Sequence, residues 1–390
     1  MAFTIISAGA GSGKTYRLTQ EMVKKLKEGY PASGIIATTF TQKAASELQS
    51  RVRIALLKSG MRQEAEELSN ALIGTVHSLG IKLLQRFAFE AGVSPLVNII
   101  TEGEPQYYFN LAMTSVLTME KVEKMEALSR RLSILKDDTM DKDWRNMIKD
   151  LTDIARSNNF SEEILRASAE KSIRSQLNLL ENPVLNASEF DQLFLNHLNE
   201  ALHAISQNGD DTKTTAETVE KIKKVKQIFD SGAYPPWEEW ARMSKIEAAV
   251  KSKEAIKSLK EFAASHVQHP RFHEDISDFI REIFDLAIHA IQEYSHFKNQ
   301  RGLIDYTDME VKVDELLNHP AVCEILKPEI SILLVDEFQD TSPIQLSIFL
   351  KLSKIARHTI WVGDPKQSIY GFRGAEPSLM KATIDKKWRR

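Results

Sequence analysis

One cysteine, Cys323, stands in a chain of 390 residues, which excludes an internal disulfide and fits a reducing cytosol. Neither sign of charge is in excess: 51 Lys and Arg against 54 Asp and Glu leave a net charge of −3. Global attraction to nucleic acid is therefore excluded, and any such binding must come from a local track of basic and aromatic side chains. No apolar stretch reaches the ~20 residues needed to cross a bilayer, so no membrane partner is expected. Phe3-Thr4-Ile5-Ile6 has no basic leader and reads as a strand rather than a signal peptide. Glycine is scarce in the middle of the chain, where only Gly209 and Gly232 fall between Glu104 and Gln300; the other 14 of 16 lie outside that span. Tight turns between short strands need glycine and stacked helices do not. The flanks thus read as alternating strand and helix and the middle as all-helical, with length enough for two or three domains.

Apolar runs place strands over 4–7, 34–39 and 72–76, before Asp336 and before Asp364. Helices or long crossovers separate them, which implies a parallel sheet covered on both faces. Leu18, Met22, Val23 and Leu26 mark the first helix, stopped by Gly29 and Pro31. Thr41 is positioned as the N-cap of a second, which should bury Ala44, Leu48, Val52 and Ala55. In the middle, Trp144, Met147, Ile148, Leu151, Ile154 and Ala155 recur at helical spacing, as do Ile276, Phe279, Ile283, Ala287 and Tyr294. Breaks fall at 207–211 and 233–236. The expected fold is α/β, a P-loop parallel sheet covered by helices and interrupted by an inserted all-α subdomain: core 1–95 and 300–390, insertion 96–299.

The chemistry concentrates in two places. Ala8-Gly9-Ala10-Gly11-Ser12-Gly13-Lys14-Thr15 lies between a strand and a helix. Glycines there let backbone N–H groups approach phosphate oxygens, and the helix N-terminus adds a partial positive charge. Lys14 would neutralise β- and γ-phosphates, and the Thr15 hydroxyl would ligate Mg²⁺. Ala8 stands where the strict pattern has glycine. The second place is the strand end at Asp336-Glu337. A carboxylate at the end of a buried Ile-Leu-Leu-Val run needs a partner, for which Mg²⁺ is suited, and Glu337 one residue on is placed to orient and deprotonate an attacking water. No metal cage, catalytic triad or nuclease cluster is visible elsewhere.

ILLVDEFQDTSPIQ (332–345) and VGDPKQSIYGFRGA (362–375) resemble motifs II and III of superfamily 1 helicases of the UvrD/Rep type, nearer the RecB and AddA branch in the wording Asp-Pro-Lys-Gln. ATTFTQKAASELQSR (37–51) and GTVHSL (74–79) are similar to the family's DNA-contacting motifs, and LIDYTDM (303–309) to the segment that re-enters the core after the helical insertion. The resemblance implies a RecA-like fold, ATP and Mg²⁺ as cofactors, and translocation on single-stranded DNA, 3′ to 5′, in repair or recombination. By the same resemblance Gln367 senses the γ-phosphate and Gln339 links the metal site to that network. Phe40, Tyr370 and Phe372 would stack on bases, a sequence-tolerant grip because every base has a π-face. Core packing is the alternative for each ring. Thr41, Thr75 and Ser78 would hold phosphates as neutral donors. His77 either does the same or bonds locally. Arg373 contacts DNA or pairs internally, and Tyr16 lies on the adenine or is simply exposed.

The family closes ATP between two such domains, and the sequence stops at Trp388-Arg389-Arg390, soon after the third motif. The chain therefore reads as an N-terminal half with a second RecA-like domain, and a nuclease domain or partner, expected elsewhere. A lone half would bind ATP with little turnover, so a non-catalytic, nucleotide-dependent DNA-binding or interaction module is the rival reading. A kinase or AAA-type P-loop protein has no use for Gln339 and the 362–375 segment.

Overall fold

The structure is a computed structural model that describes residues 2–7, 14–96, 98–100, 103–134 and 143–363. These residues form two compact units. The first draws on Met1–Phe109, Ile154–Asn159 and Tyr294–Arg390, the second on Asn110–Asp153 and Phe160–Glu293.

The first unit is built on a parallel sheet of β1 (Ala2–Ser7), β2 (Ile35–Thr39), β3 (Leu72–Thr75), β6 (Ile332–Val335) and β7 (His358–Gly363), in the order β1-β7-β6-β2-β3. A parallel pair, β4 (Asn98–Ile99) and β5 (Leu303–Ile304), lies apart from it. Every residue of β2, β6 and β7 is buried, the signature of strands covered on both faces. Because side chains alternate, one strand feeds two cores. Ile332, Leu334, Ile360 and Val362 join Leu18, Met22, Leu48 and Val52 on one face. Leu333, Val335 and Trp361 join Leu83, Met309, Val313 and Phe349 on the other.

The helix Lys14–Lys27 buries the expected Leu18, Met22, Val23 and Leu26 and is followed by Gly29 at φ +90°. Thr41 caps Gln42–Lys58, its Oγ1 accepting from Ala44 N at 3.1 Å. The inward stripe of that helix is Ala45, Leu48, Val52 and Leu56, while Ala44 and Ala55 are only half-buried. Ala44 falls in the first turn, where the cap leaves it at the rim of the stripe.

The second unit is helical among its described residues. Its core centres on Phe194, fully buried and stacked on Trp240 at 3.7 Å, with Phe190, Trp237 and Leu259 around them. Gly209, at φ +57°, ends the helix Ala187–Asn208 in the left-handed turn that glycine takes without strain.

Candidate nucleotide and nucleic-acid site

Parallel register brings the carboxyl ends of the strands to one edge. Ser7 pairs with Gly363, Val335 with Trp361, Thr38 with Val335, and Thr39 with Thr75. Ligands of open α/β sheets bind beyond this edge. The glycine loop leaves β1 here, the acidic turn leaves β6, and the third motif leaves β7. Ala8, Gly9, Ala10, Gly11, Ser12, Gly13, Gln367, Tyr370, Phe372 and Arg373 lie outside the described residues, as does the Lys14 side chain.

The acidic turn is held from both sides. Asp336 N donates to Thr38 O at 3.0 Å, tying the turn to β2, and Asp336 Oδ1 accepts from Glu337 N at 3.0 Å. Glu337 sits at φ +51° in the left-handed region, a conformation that costs a non-glycine residue about 1–3 kcal/mol and is retained mostly at functional sites. Its Oε2 accepts from Gln339 Nε2 at 2.6 Å, and the same amide reaches Asp340 Oδ2 at 3.3 Å. Gln339, 3% exposed, lies under the end of β7, where a Cβ on Gly363 would meet its Oε1 and would come within 2.6 Å of the Phe338 ring. Phe338 packs on Trp361 at 5.7 Å, and Trp361 on Phe3 at 5.3 Å. The turn after β6 is thereby wedged against Gly363, the second residue of the third motif. Ser342 and Gln345 close it with a reciprocal capping box at the head of Pro343–Ile355.

Asp336 and Thr15 offer hard oxygen donors of the kind Mg²⁺ takes, and Mg²⁺ commonly uses one or two protein oxygens, completing its shell with water and phosphate. Among the described residues no group of three His, Cys, Asp or Glu gathers as a cage.

At the far end of the edge the candidate nucleic-acid residues are largely committed to helix ends. Thr41 Oγ1 holds Ala44 N, leaving its O–H to donate. Thr75 Oγ1 accepts from Ser78 N at 3.2 Å, and Ser78 donates its proton to Thr75 O at 2.8 Å. Phe40 is 42% exposed and Tyr16 67% exposed. His77 stacks on Tyr306, ring centroids 4.1 Å apart and planes 20° from parallel, with Nε2 3.3 Å from Glu310 Oε1. Of its two readings, the local partner is therefore present.

Two groups here had no sequence signal of their own. Tyr306 and Glu310 stand in and just after the re-entry segment, at positions that periodicity marks only as helix. The other is a buried ion quartet. Arg156 Nη2 donates to Asp305 Oδ2 at 2.6 Å and to Asp308 Oδ1 at 3.0 Å; Lys298 Nζ donates to Asp305 at 2.9 Å and also to Asp308. Both cations lie over the Tyr294 ring, at 4.8 and 4.0 Å. Burial alone would raise the Asp305 pKa, but the charges of Arg156 and Lys298 outweigh it and hold the carboxyl well below the usual carboxylate range. Asp305 and Asp308 form the capping box of Tyr306–Leu316, so the quartet fixes the helix that carries Tyr306 and Glu310. Arg156 stands 149 and 152 residues from its two carboxylates, a separation that leaves no periodic trace.

A five-stranded parallel sheet with a strand-end carboxylate pair, following a P-loop sequence, defines a RecA-like α/β nucleotide-binding domain. The chain belongs to the UvrD/REP helicase N-terminal domain family, whose model matches residues 2–387. It is similar to the A subunit of the ATP-dependent helicase/nuclease of Natranaerobius thermophilus (26% identity over 98% of this chain and 34% of the relative). Proteins of the same name match from Lactobacillus acidophilus (24%, over 96% and 35%) and Lysinibacillus sphaericus (28%, over 96% and 35%). The chain thus spans about a third of the length of these relatives. Among the described residues no helix is long and apolar enough to cross a membrane.

Proposed function

We propose that this chain is the ATP- and single-strand-binding half of an ATP-dependent DNA helicase or translocase of the AddA/RecB kind, acting in repair or recombination in the cytoplasm. The observation that carries the reading is the acidic turn: a carboxylate pair at the end of β6, its second member held in a left-handed conformation, on the sheet edge where β1 and β7 also end. In this reading 1–95 and 300–390 form the motor core and 96–299 the insertion. Ala8 to Thr15 cradle the phosphates, Thr15 and Asp336 hold Mg²⁺, and Tyr16 flanks the base. Bound Mg²⁺ would neutralise charge on the β- and γ-phosphates. Glu337 orients and deprotonates the attacking water, with Gln339 steadying its carboxylate and Gln367 reading the γ-phosphate. Phe40, Tyr370 and Phe372 stack on bases, while Thr41, Thr75, Ser78, His77 and Arg373 line the backbone path. Partners are a DNA single strand or duplex junction, a second RecA-like domain in cis, and a nuclease domain or separate nuclease chain.

Lys14→Ala tests the reading. Loss of its charge should abolish binding of a fluorescent ATP analogue while circular dichroism stays normal. Unchanged affinity in a folded variant would refute the loop's assignment.

A further inference from the structure

The re-entry helix Tyr306–Leu316 packs between Val76–Arg86 and Pro343–Ile355. It places one buried carboxylate, Glu310 (8% exposed), between two groups from opposite ends of the site. On one side His77 Nε2 lies 3.3 Å from Glu310 Oε1. On the other, Gln345 Nε2 donates to the same Oε1 at 2.6 Å. The Gln345 amide is committed at both ends, because its oxygen accepts from Ser342 N at 3.4 Å and Gln345 N donates to Ser342 Oγ at 3.3 Å. Ser342 follows directly on the acidic turn that starts at Asp336. An unbroken line of hydrogen bonds and short backbone therefore runs from the nucleic-acid edge to the carboxylates.

We propose that Glu310 is a positioning residue that couples occupancy at His77 to the state of the acidic turn, through competition for one oxygen. The inference rests on the proposed function. A phosphate bonded to the other ring nitrogen of His77 polarises the imidazole and makes Nε2–H a stronger donor to Glu310. The bond from His77 to the Glu310 carboxylate then strengthens. Glu310 Oε1 is drawn toward His77, its bond to Gln345 weakens, and the Ser342 cap loosens at the end of the turn bearing Asp336 and Glu337. The Gln345 amide, held or released, is the two-state element that each ligand biases. Linkage requires the effect to be reciprocal, so nucleotide must change DNA affinity by the same factor.

The test is a thermodynamic cycle on the 390-residue chain: affinity for a labelled oligothymidylate with and without a non-hydrolysable ATP analogue and magnesium. The two affinities should differ by about fivefold or more, the lower end of ordinary coupling. In Glu310→Gln, which keeps the shape but cannot form the charge-assisted bond, the ratio should fall below about twofold, with both ligands still bound. Gln345→Leu cuts the same line from the other side and should have the same effect, which keeps the proposal testable should Glu310→Gln fold poorly. A purely structural role would lower the melting temperature and both affinities together and leave their ratio intact. That result, or a ratio near one in the wild type, overturns the coupling. If the wild type binds both ligands without coupling, only this inference falls; if it binds neither, the functional reading falls with it.

Discussion

Adding one methyl group at Gly363 should separate the architecture of the acidic turn from its chemistry. In Gly363→Ala the new Cβ would meet Gln339 Oε1 and approach Phe338 Cδ1 to 2.6 Å and Cε1 to 2.9 Å. Real carbon contacts begin near about 3.5 Å, so one of these groups must shift by several tenths of an ångström. Phe338 has little room, being 2% exposed and packed on Trp361. Gln339 is the freer of the two, and moving it breaks the 2.6 Å bond to Glu337 Oε2. Overpacking of a filled core typically costs about 1–3 kcal/mol. The lost bond to a charged carboxylate, in a group this buried, adds about 1.5–3 kcal/mol. Partial relaxation of the strand end should leave a net loss of about 2–4 kcal/mol. Urea titration followed by tryptophan fluorescence reads this directly, since Trp361 lies against Phe338 and should also report the native-state shift. Nucleotide affinity through Lys14 should change far less than stability does. A variant within about 0.5 kcal/mol of wild type, with unaltered emission, would refute the wedge between β7 and the turn.

Lys298→Met should destabilise the first unit by about 3–5 kcal/mol, because Asp305 and Asp308 lose a buried cation, and adding Asp308→Asn should recover part of that loss in a double-mutant cycle. The depressed Asp305 pKa contributes stability that is complete above its unfolded value of about 3.9 and is lost as pH falls from there toward the folded value. Acid titration of unfolding free energy should therefore show a steep fall below about pH 4, flattened in Asp305→Asn. Glu337→Gly should be more stable than Glu337→Ala by about 1 kcal/mol, since both remove the carboxylate but only glycine accepts φ +51° without strain; equal stabilities would show that the left-handed turn carries no penalty. Thr75→Ala should cost about 0.5–2 kcal/mol through the Ser78 cap, measured by thermal unfolding, whether or not DNA is present.

The sheet was legible along the chain because its signals are local. A buried strand announces itself as a short apolar run, as in Ile332–Val335, and the carboxylate that ends it stands out against that run. The Thr41 cap and the Lys14–Lys27 stripe follow from adjacent residues, and the five parallel strands follow from the helices between them. Strand order, by contrast, depends on which apolar faces meet, and nothing in the sequence of β7 says that it inserts between β1 and β6. The same limit hid the place of Arg156 in the quartet with Lys298, Asp305 and Asp308, and that of His77 on Glu310, since each stands far along the chain from its partners and looks in isolation like an ordinary polar position on a helix. It also hid the reason for glycine at 363, which is the space taken by Gln339 and Phe338. Local backbone preference and periodicity act over a few residues, so sequence alone determined the strands of the sheet, the helices between them and the place of the Asp336-Glu337 pair at its edge. Tertiary packing decided which distant charges share a low-dielectric pocket, because burying a charge is tolerable only where folding has already brought its partners to it.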